Sequence, residues 1–326
     1  MIDRLIDKID RLDNPSVAGL DPTYEMIPGK IKKKHLEMHG KTPKAVAEMF
    51  IEFNKGLIDN LYDVVPAVKP QIAMYEKYGI EGIRAYLETI NYAKSKYLIV
   101  IGDIKRGDIS TTASAYAAHL SGVDIEGEKY DLWQEDAVTL SPYMGFDGIE
   151  PFIQPCVELD KGVFILVKTS NPSSEDLQDV AVHQSLELVS DLNTFKDVFM
   201  RMTMPRLYEV TAFLVRGWGK LAMGRKGYSK IGAVVGATQK EQGEQLRKIM
   251  PETFFLVPGY GAQGASGDDI RRFFDKEGRG CIVNSSRGII AAYKNNPRYS
   301  EDNFGDAARV AALDMRDDIK GGKKRR

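Results

Sequence analysis

The sequence is poor in the residues that cross-link a chain or hold a metal ion. Its 326 residues include two cysteines and four histidines. Cys156 and Cys281 form neither a disulfide framework nor a metal-ligand spacing. Cys281 begins the apolar run CIV, which is typical of a buried structural thiol rather than a nucleophile. We therefore expect a protein without disulfides from a reducing compartment, the cytoplasm.

Excess charge and long apolar runs are also missing. The formal net charge is -1, whereas a nucleic-acid-binding domain usually has a strong basic excess. No stretch approaches the length of a membrane span. The first residues, MIDRLIDKIDRLDN, place apolar side chains at helical spacing and lack the apolar core of a signal peptide. The sequence therefore predicts an N-terminal helix and no nucleic-acid or membrane partner.

The composition is that of an ordinary globular protein, with 43% hydrophobic and 28% charged residues. The length exceeds one average domain but suits a single α/β barrel with insertions. We therefore predict one domain over residues 1–326.

Eight short apolar runs, each ending in polar residues or glycine, alternate with helix-compatible segments. Most runs are almost continuously hydrophobic, as expected for parallel strands covered on both faces. The runs are 17–21, 64–69, 98–105, 137–141, 163–168, 231–238, 254–258 and 281–284. This alternation predicts a closed (β/α)8 TIM barrel with extended loops and extra helices. An open doubly wound sheet is the alternative, but the first strand is followed by GLDP rather than a glycine fingerprint.

Two connections between the predicted strands are long. Residues 22–43 carry a lysine-rich stretch, and residues 171–230 contain helix-like sequence. We predict that the second is an elaborated crossover with extra helices, because loops of that length rarely lack structure. Residues 301–320 have a helical pattern, and the basic tail 321–326 is predicted to be a solvated terminus.

Charged side chains gather where the second and third predicted strands end. Asp103 and Lys105 lie two residues apart, so on a strand they share one face. Lys69 ends the neighbouring strand, and Asp108 follows Lys105 by three residues. These four residues can form an alternating array of cations and anions, which holds a lysine protonated beside negative charge. Taken alone, the Asp-x-Lys spacing favours ordinary strand-end salt bridges.

The wider pattern resembles a known family. The segment DIKRGDISTTASAY is similar to the signature of orotidine 5'-phosphate decarboxylases, in the long-form (type 2) subfamily of many bacteria and protozoa. That signature is Asp-x-Lys-x-x-Asp followed closely by threonine. Further blocks resemble the family in its own order along nearly the whole chain. They are AGLDP, VKPQ, TLSPYMGFDGIEPF, VKTSNPS, PGYGAQG and VNSSRGI.

The resemblance implies a cofactor-free homodimeric enzyme that converts orotidine 5'-phosphate (OMP) to UMP. It implies that Lys69 and Asp21 contact the ribose, that Asp103 lies beside the departing carboxylate, and that Lys105 protonates C6. It further implies that Asp108 and Thr112 reach into the partner subunit's site. The pyrimidine is implied to be recognised by Ser170, or alternatively by Asn171. The phosphate is implied to bind Gln263, Arg287 and backbone amides near Gly261 and Ser286.

Elementary chemistry agrees with these roles. Loss of CO2 from C6 leaves a carbanion that the ring does not readily delocalise, and a pre-placed cation such as Lys105 stabilises it and then protonates the carbon. The turns after the seventh and eighth strands lie where barrels commonly bind phosphate, and Arg287 supplies a planar fork. Alternatively, the two segments are ordinary glycine-containing turns without a phosphate-binding role, and Arg287 is a surface residue. No pyridoxal-lysine set, metal-ligand cluster or nucleotide-cofactor fingerprint is evident in the sequence.

Two other functions stay open. Sugar-phosphate decarboxylases or aldolase-like synthases of the same superfamily share the Asp-x-Lys-x-x-Asp arrangement but use a Mg2+-stabilised enediolate. The second alternative is a catalytically inactive barrel that binds UMP-like ligands. The presence of Lys105, Asp103 and Asp108 argues against this alternative. A fused orotate phosphoribosyltransferase domain is not expected, because too little chain remains.

Overall fold

The computed structural model describes residues 1–182, 204–261 and 264–322, and its main sheet is a closed barrel of parallel strands. Around the barrel the order is β1, β2, β3, β6, β7, β8, β9 and β10, which pairs again with β1. The remaining strands, β4 and β5, form a small antiparallel hairpin. This architecture confirms the predicted TIM barrel. The strands are β1 Ser16–Leu20, β2 Ala67–Pro70, β3 Ile99–Arg106, β4 Val123–Ile125, β5 Glu128–Tyr130, β6 Ala137–Leu140, β7 Gly162–Lys168, β8 Ser229–Val235, β9 Thr253–Pro258 and β10 Cys281–Ser285.

Each predicted apolar run overlaps a barrel strand, but the start of the second run was wrong. That run was expected to start at residue 64, whereas β2 begins at Ala67. The backbone N–H groups of Val64 and Val65 both donate to the carbonyl of Leu61, at 2.9 Å. These two apolar residues therefore belong to the turn that follows helix Pro43–Leu61, because burial in such a turn and burial in a strand produce the same hydrophobic signal.

Helices separate the strands and cover the barrel. The longest, Pro43–Leu61, begins with Thr42 as N-cap, whose side chain accepts from the N–H of Ala45 at 3.2 Å, and has proline at its first position. The helices are Ile2–Leu12, Gly29–His39, Pro43–Leu61, Ala73–Glu76, Gly79–Ser95, Ser110–Ser121, Glu150–Glu158, Glu175–Gln178, Leu207–Gly219, Lys240–Ile249, Gly267–Arg271, Arg287–Ile290, Ala292–Asn295 and Phe304–Ile319.

The N-terminal helix closes the end of the barrel where the strands begin. Its residues Met1, Ile2, Leu5 and Ile6 are buried in a cluster with side chains from the starts of the barrel strands, such as Ile99. The opposite end, where the strands finish, is therefore the one left available for a site.

The long connection between β7 and β8 contains helix in its described parts. Helix Glu175–Gln178 follows β7, and helix Leu207–Gly219 packs against both β7 and β8. Residues 183–203 of the predicted insertion lie outside the described residues, as do residues 323–326 of the predicted basic tail. Within the described parts of the chain, no helix is long and apolar enough to cross a membrane.

Candidate active site

A cavity of about 640 Å³ opens at the carboxyl ends of the barrel strands. Residues from every barrel strand or the loop after it reach this cavity, because parallel strands converge there. Eight of the predicted site residues line it, namely Asp21, Lys69, Asp103, Lys105, Ser170, Asn171, Ser286 and Arg287. The structure therefore brings together groups that lie more than 260 residues apart in the sequence.

A chain of charges lies at the bottom of this cavity. The Asp103 carboxylate accepts from Lys69 Nζ through Oδ2 and from Lys105 Nζ through Oδ1, each at 2.5 Å. Gln71 Nε2 donates to Oδ2 at 3.1 Å, and Thr139 Oγ1 donates to Oδ1 at 2.9 Å. Two donors on each oxygen hold this carboxylate in one orientation.

Burial and charge act against each other in this array. Burial alone would raise the pKa of Asp103, but the Lys69 and Lys105 ammonium groups outweigh it and hold that pKa well below its usual range. Burial alone would lower the pKa of Lys69, and the Asp103 and Asp21 carboxylates raise it instead. The Asp103 contribution to stability is lost on acidification and the Lys69 contribution at high pH. Both are therefore present between about pH 4 and pH 10.

Lys105 reaches Asp103 by way of an irregular strand end. The pairing of β3 with β6 shifts register between Gly102 and Arg106, and Lys105 has φ 45°, in the left-handed region. Non-glycine residues rarely adopt this conformation and concentrate at functional sites when they do. The two-residue spacing correctly predicted that Asp103 and Lys105 meet, but regular strand alternation is not the reason.

Two acceptor atoms in the cavity are buried and unpaired. Neither Asp21 Oδ1 nor Asn284 Oδ1 accepts a hydrogen bond from any described residue. A buried polar atom without a partner is costly, so such atoms in a cavity are suited to receive donors from a ligand. These two unpaired acceptors, of which Asp21 also lies close enough to Lys69 to raise its pKa, are suited to ligand hydroxyl groups.

The loop after β7 contributes hydroxyl and amide groups. Thr169 Oγ1 donates to Asn171 Oδ1 at 2.7 Å, while Gln178 Nε2 donates to Thr169 Oγ1 at 2.8 Å. The Ser170 side chain makes no hydrogen bond with the described residues, and Gly236 allows its close approach, because an added Cβ would lie 2.8 Å from Ser170 Cβ. Ser170 thus offers a free hydroxyl, whereas the Asn171 amide oxygen is already engaged.

The turn after β10 lies at the other side of the cavity. Ser286 packs so closely on β1 that a Cβ at Gly19 would lie 1.9 Å from Ser286 Oγ, which explains the glycine there. Arg287 is exposed at the cavity rim, and no carboxylate among the described residues pairs with it. A guanidinium in this position is available to an anionic ligand.

The turn after β9 departs from the expectation. Gly261 does not line the cavity, and its N–H donates to the carbonyl of Ala265 at 2.9 Å, closing the turn on itself. In this arrangement the Gly261 amide is not directed at a ligand. Gln263 lies outside the described residues.

Asp108 and Thr112 stand apart from the cavity. Asp108 Oδ1 accepts from the N–H of Ile109 at 2.8 Å, and Thr112 is exposed on helix Ser110–Ser121. Asp108 lies outside the helix that carries Thr112, because that helix begins two residues after Asp108 and Ser110 has φ 48°. The chain therefore turns between them.

Comparison with known proteins identifies the family. The model of the Orotidine 5'-phosphate decarboxylase / HUMPS family matches residues 20–300. The orotidine 5'-phosphate decarboxylase of Petrotoga mobilis is 42% identical over 320 residues, which cover 98% of each protein. The chain belongs to this family.

Solved structures agree with the family assignment. The Leishmania donovani OMP decarboxylase has a TM-score of 0.69 and 29% identity, and the match covers 98% of this chain and 97% of that one. The Leishmania donovani UMP synthase has a TM-score of 0.71 and 30% identity, but this chain covers only 56% of its length. Assignment to the long-form subfamily stays a prediction.

Sequence reasoning did not single out several polar residues of this family member's site. Thr139 and Asn284 line the cavity, and Gln71 donates to Asp103. All three lie inside blocks that resemble the family, yet none has a charge or a spacing that draws attention. A polar residue at the end of an apolar strand was the available signal. Cys281 is buried, as predicted for a structural thiol, and burial raises its pKa to about 11. Cys156 is buried as well, and burial raises its pKa to about 12.

Proposed function

We propose that this chain decarboxylates orotidine 5'-phosphate to UMP, as a carboxy-lyase of pyrimidine biosynthesis that uses its own side chains and no cofactor. The observation that carries the proposal is the Lys69–Asp103–Lys105 chain of charges at the bottom of the cavity. The full-length similarity to a protein named orotidine 5'-phosphate decarboxylase supports it.

In this proposal, OMP is held at its phosphate end and at its pyrimidine end. Arg287 and Ser286, in the turn after β10, bind the phosphate, and Gln263 is the further phosphate ligand that the family resemblance implies. The unpaired Asp21 oxygen and Lys69 receive the ribose hydroxyls. Ser170 rather than Asn171 forms the hydrogen bond with the pyrimidine edge, because the Ser170 hydroxyl has no hydrogen-bond partner among the described residues. These contacts direct C6 and its carboxylate toward Asp103.

The reaction needs one bond broken and one formed. The C6–carboxylate bond breaks, its electron pair stays on C6, and CO2 leaves. The Lys105 ammonium stabilises this carbanion and then transfers a proton to C6, which gives UMP and a neutral lysine that regains a proton from solvent. Because Asp103 is held ionised, it disfavours the substrate carboxylate in the ground state and forms an ion pair with the Lys105 ammonium.

The assembly we propose is a homodimer with shared active sites. Asp108 and Thr112 lie outside the cavity of their own barrel, which leaves them free to enter the partner's. We further propose that residues 1–326 work as one barrel domain in the cytoplasm, with the 171–230 segment as its elaborated crossover.

An assay in the presence of EDTA tests the proposal. It measures the decrease in absorbance as OMP is converted to UMP. We expect full turnover in EDTA, because Lys105 rather than a metal stabilises the carbanion. A sugar-phosphate decarboxylase or synthase that uses Mg2+ would turn over its sugar phosphate and lose activity in EDTA. Tight UMP binding without turnover would instead identify a non-catalytic barrel.

Replacing Arg287 by alanine tests the phosphate site. We expect kcat/KM for OMP to fall about 10- to 100-fold, the effect of losing a charge-assisted contact of roughly 1.5–3 kcal/mol. The nucleoside orotidine, which lacks the phosphate, should be affected little. Steady-state kinetics on both substrates measure the difference.

Arg298→Ala is the matched control, because Arg298 is an exposed arginine that does not line the cavity. It should leave both substrates unchanged. Equal losses on OMP and orotidine in Arg287→Ala would show that Arg287 does not contact the phosphate.

A further inference from the structure

Thr139 lies on β6, beside the strand β3 that carries Asp103 and Lys105, and is 1% exposed. Its Oγ1 accepts the backbone N–H of Lys105 at 3.0 Å and donates to Asp103 Oδ1 at 2.9 Å. One hydroxyl therefore joins the main chain of the proposed proton donor to the carboxylate beside it. Such a relay polarises both hydrogen bonds in the same direction.

The need for this hydroxyl arises from the strand irregularity. On β3, four steps separate Gly102 from Arg106, whereas on β6 only two separate their partners Val138 and Leu140. The two surplus residues leave the Lys105 N–H without the regular partner that a strand ladder supplies. Thr139 provides the acceptor from its side chain, in the region where Lys105 adopts φ 45°.

We propose that Thr139 is a positioning residue, whose hydroxyl fixes the Lys105 backbone at the strand irregularity and the Asp103 carboxylate in one geometry. This inference rests on the proposed decarboxylation. Among the described residues, the Thr139 side chain hydrogen-bonds to Lys105 and Asp103 and to none of the proposed phosphate ligands, so its effect is expected at the reacting end of the substrate. A residue with this role changes kcat and leaves substrate binding unchanged.

Thr139→Val removes the hydroxyl and keeps the shape of the side chain. We expect kcat for OMP to fall about 10- to 100-fold, the rate equivalent of one hydrogen bond to a charged group. The dissociation constant of UMP should stay within about twofold. Exchange of the UMP C6 proton with deuterated water should slow by the same factor as kcat, because it uses the same proton transfer.

Two further variants separate positioning from stability. Thr139→Ser keeps the hydroxyl and should retain most of kcat. Thr89→Val is the matched control, since Thr89 is also 1% exposed and hydrogen-bonded, to Asn54 Nδ2 at 3.0 Å, but lies outside the cavity. It should lower the melting temperature comparably and leave kcat unchanged.

Equal kcat in wild type and Thr139→Val, or equal losses in the valine and serine variants, would overturn the positioning role while leaving decarboxylation intact. Hydrogen exchange of the Lys105 amide in the wild-type chain gives an answer that depends on neither turnover nor the folding of a variant. Slow exchange supports the contact with Thr139, and exchange at the rate of an unprotected loop contradicts it. If wild type does not turn over OMP, the proposed function fails, and this measurement still decides the contact.

Discussion

Lys105→Ala is expected to abolish OMP decarboxylation while UMP and 6-azaUMP binding remains measurable. The variant loses both the cation beside the developing carbanion and the proton that C6 receives. General acid catalysis and electrostatic stabilisation each contribute about 100-fold or more, so kcat should fall by at least about 1,000-fold. The Lys105 side chain is 45% exposed and Asp103 keeps its contact with Lys69. The loss should therefore be catalytic rather than structural.

Proton exchange gives the decisive measurement for Lys105. The alanine variant should no longer exchange the C6 proton of bound UMP with deuterated water. Normal exchange in that variant would rule out Lys105 as the proton donor, whatever the effect on turnover. Lys276→Ala, which removes an exposed lysine that does not line the cavity, serves as the control and should behave as wild type.

Mixing two inactive variants is expected to restore activity if the active sites are shared. In a dimer of one Lys105→Ala chain and one Asp108→Asn chain, one site carries both defects and the other carries neither. Equal mixing by unfolding and refolding makes half of the dimers hybrids, each with one intact site. The mixture should therefore recover about one quarter of wild-type activity.

The position of Asp108 outside its own cavity motivates this experiment. If Asp108 served its own subunit, every site in the hybrid would keep one defect and mixing would restore nothing. Each variant refolded alone is the control and should stay inactive. Failure to recover activity despite hybrids confirmed by native mass spectrometry would exclude the shared site, and the decarboxylase proposal would survive.

Much of the barrel was predictable because its signals are local. Each parallel strand is covered on both faces, so it appears in the sequence as a short apolar run, and its polar end marks the face where a site forms. The positions of Lys69, Asp103 and Lys105 at strand ends are predictable in this way, whereas their roles follow from the family resemblance. Boundaries were less predictable, as Val64 and Val65 show, because hydrophobicity reports burial and not the kind of element that buries it.

The amino-acid sequence by itself determined the barrel, the strand ends that carry charge, and the resemblance that orders them into one site. Only the tertiary structure decided how those charges are held. The contact of Thr139 with Lys105 and Asp103 joins residues 34 and 36 positions apart, and it depends on a register shift that leaves no local signal. Likewise, the unpaired oxygen of Asp21 directly follows β1 and that of Asn284 belongs to β10, and these strands become neighbours only when the barrel closes. Periodicity records which side chains are buried, whereas hydrogen bonding between strands depends on register and closure, which the whole fold sets.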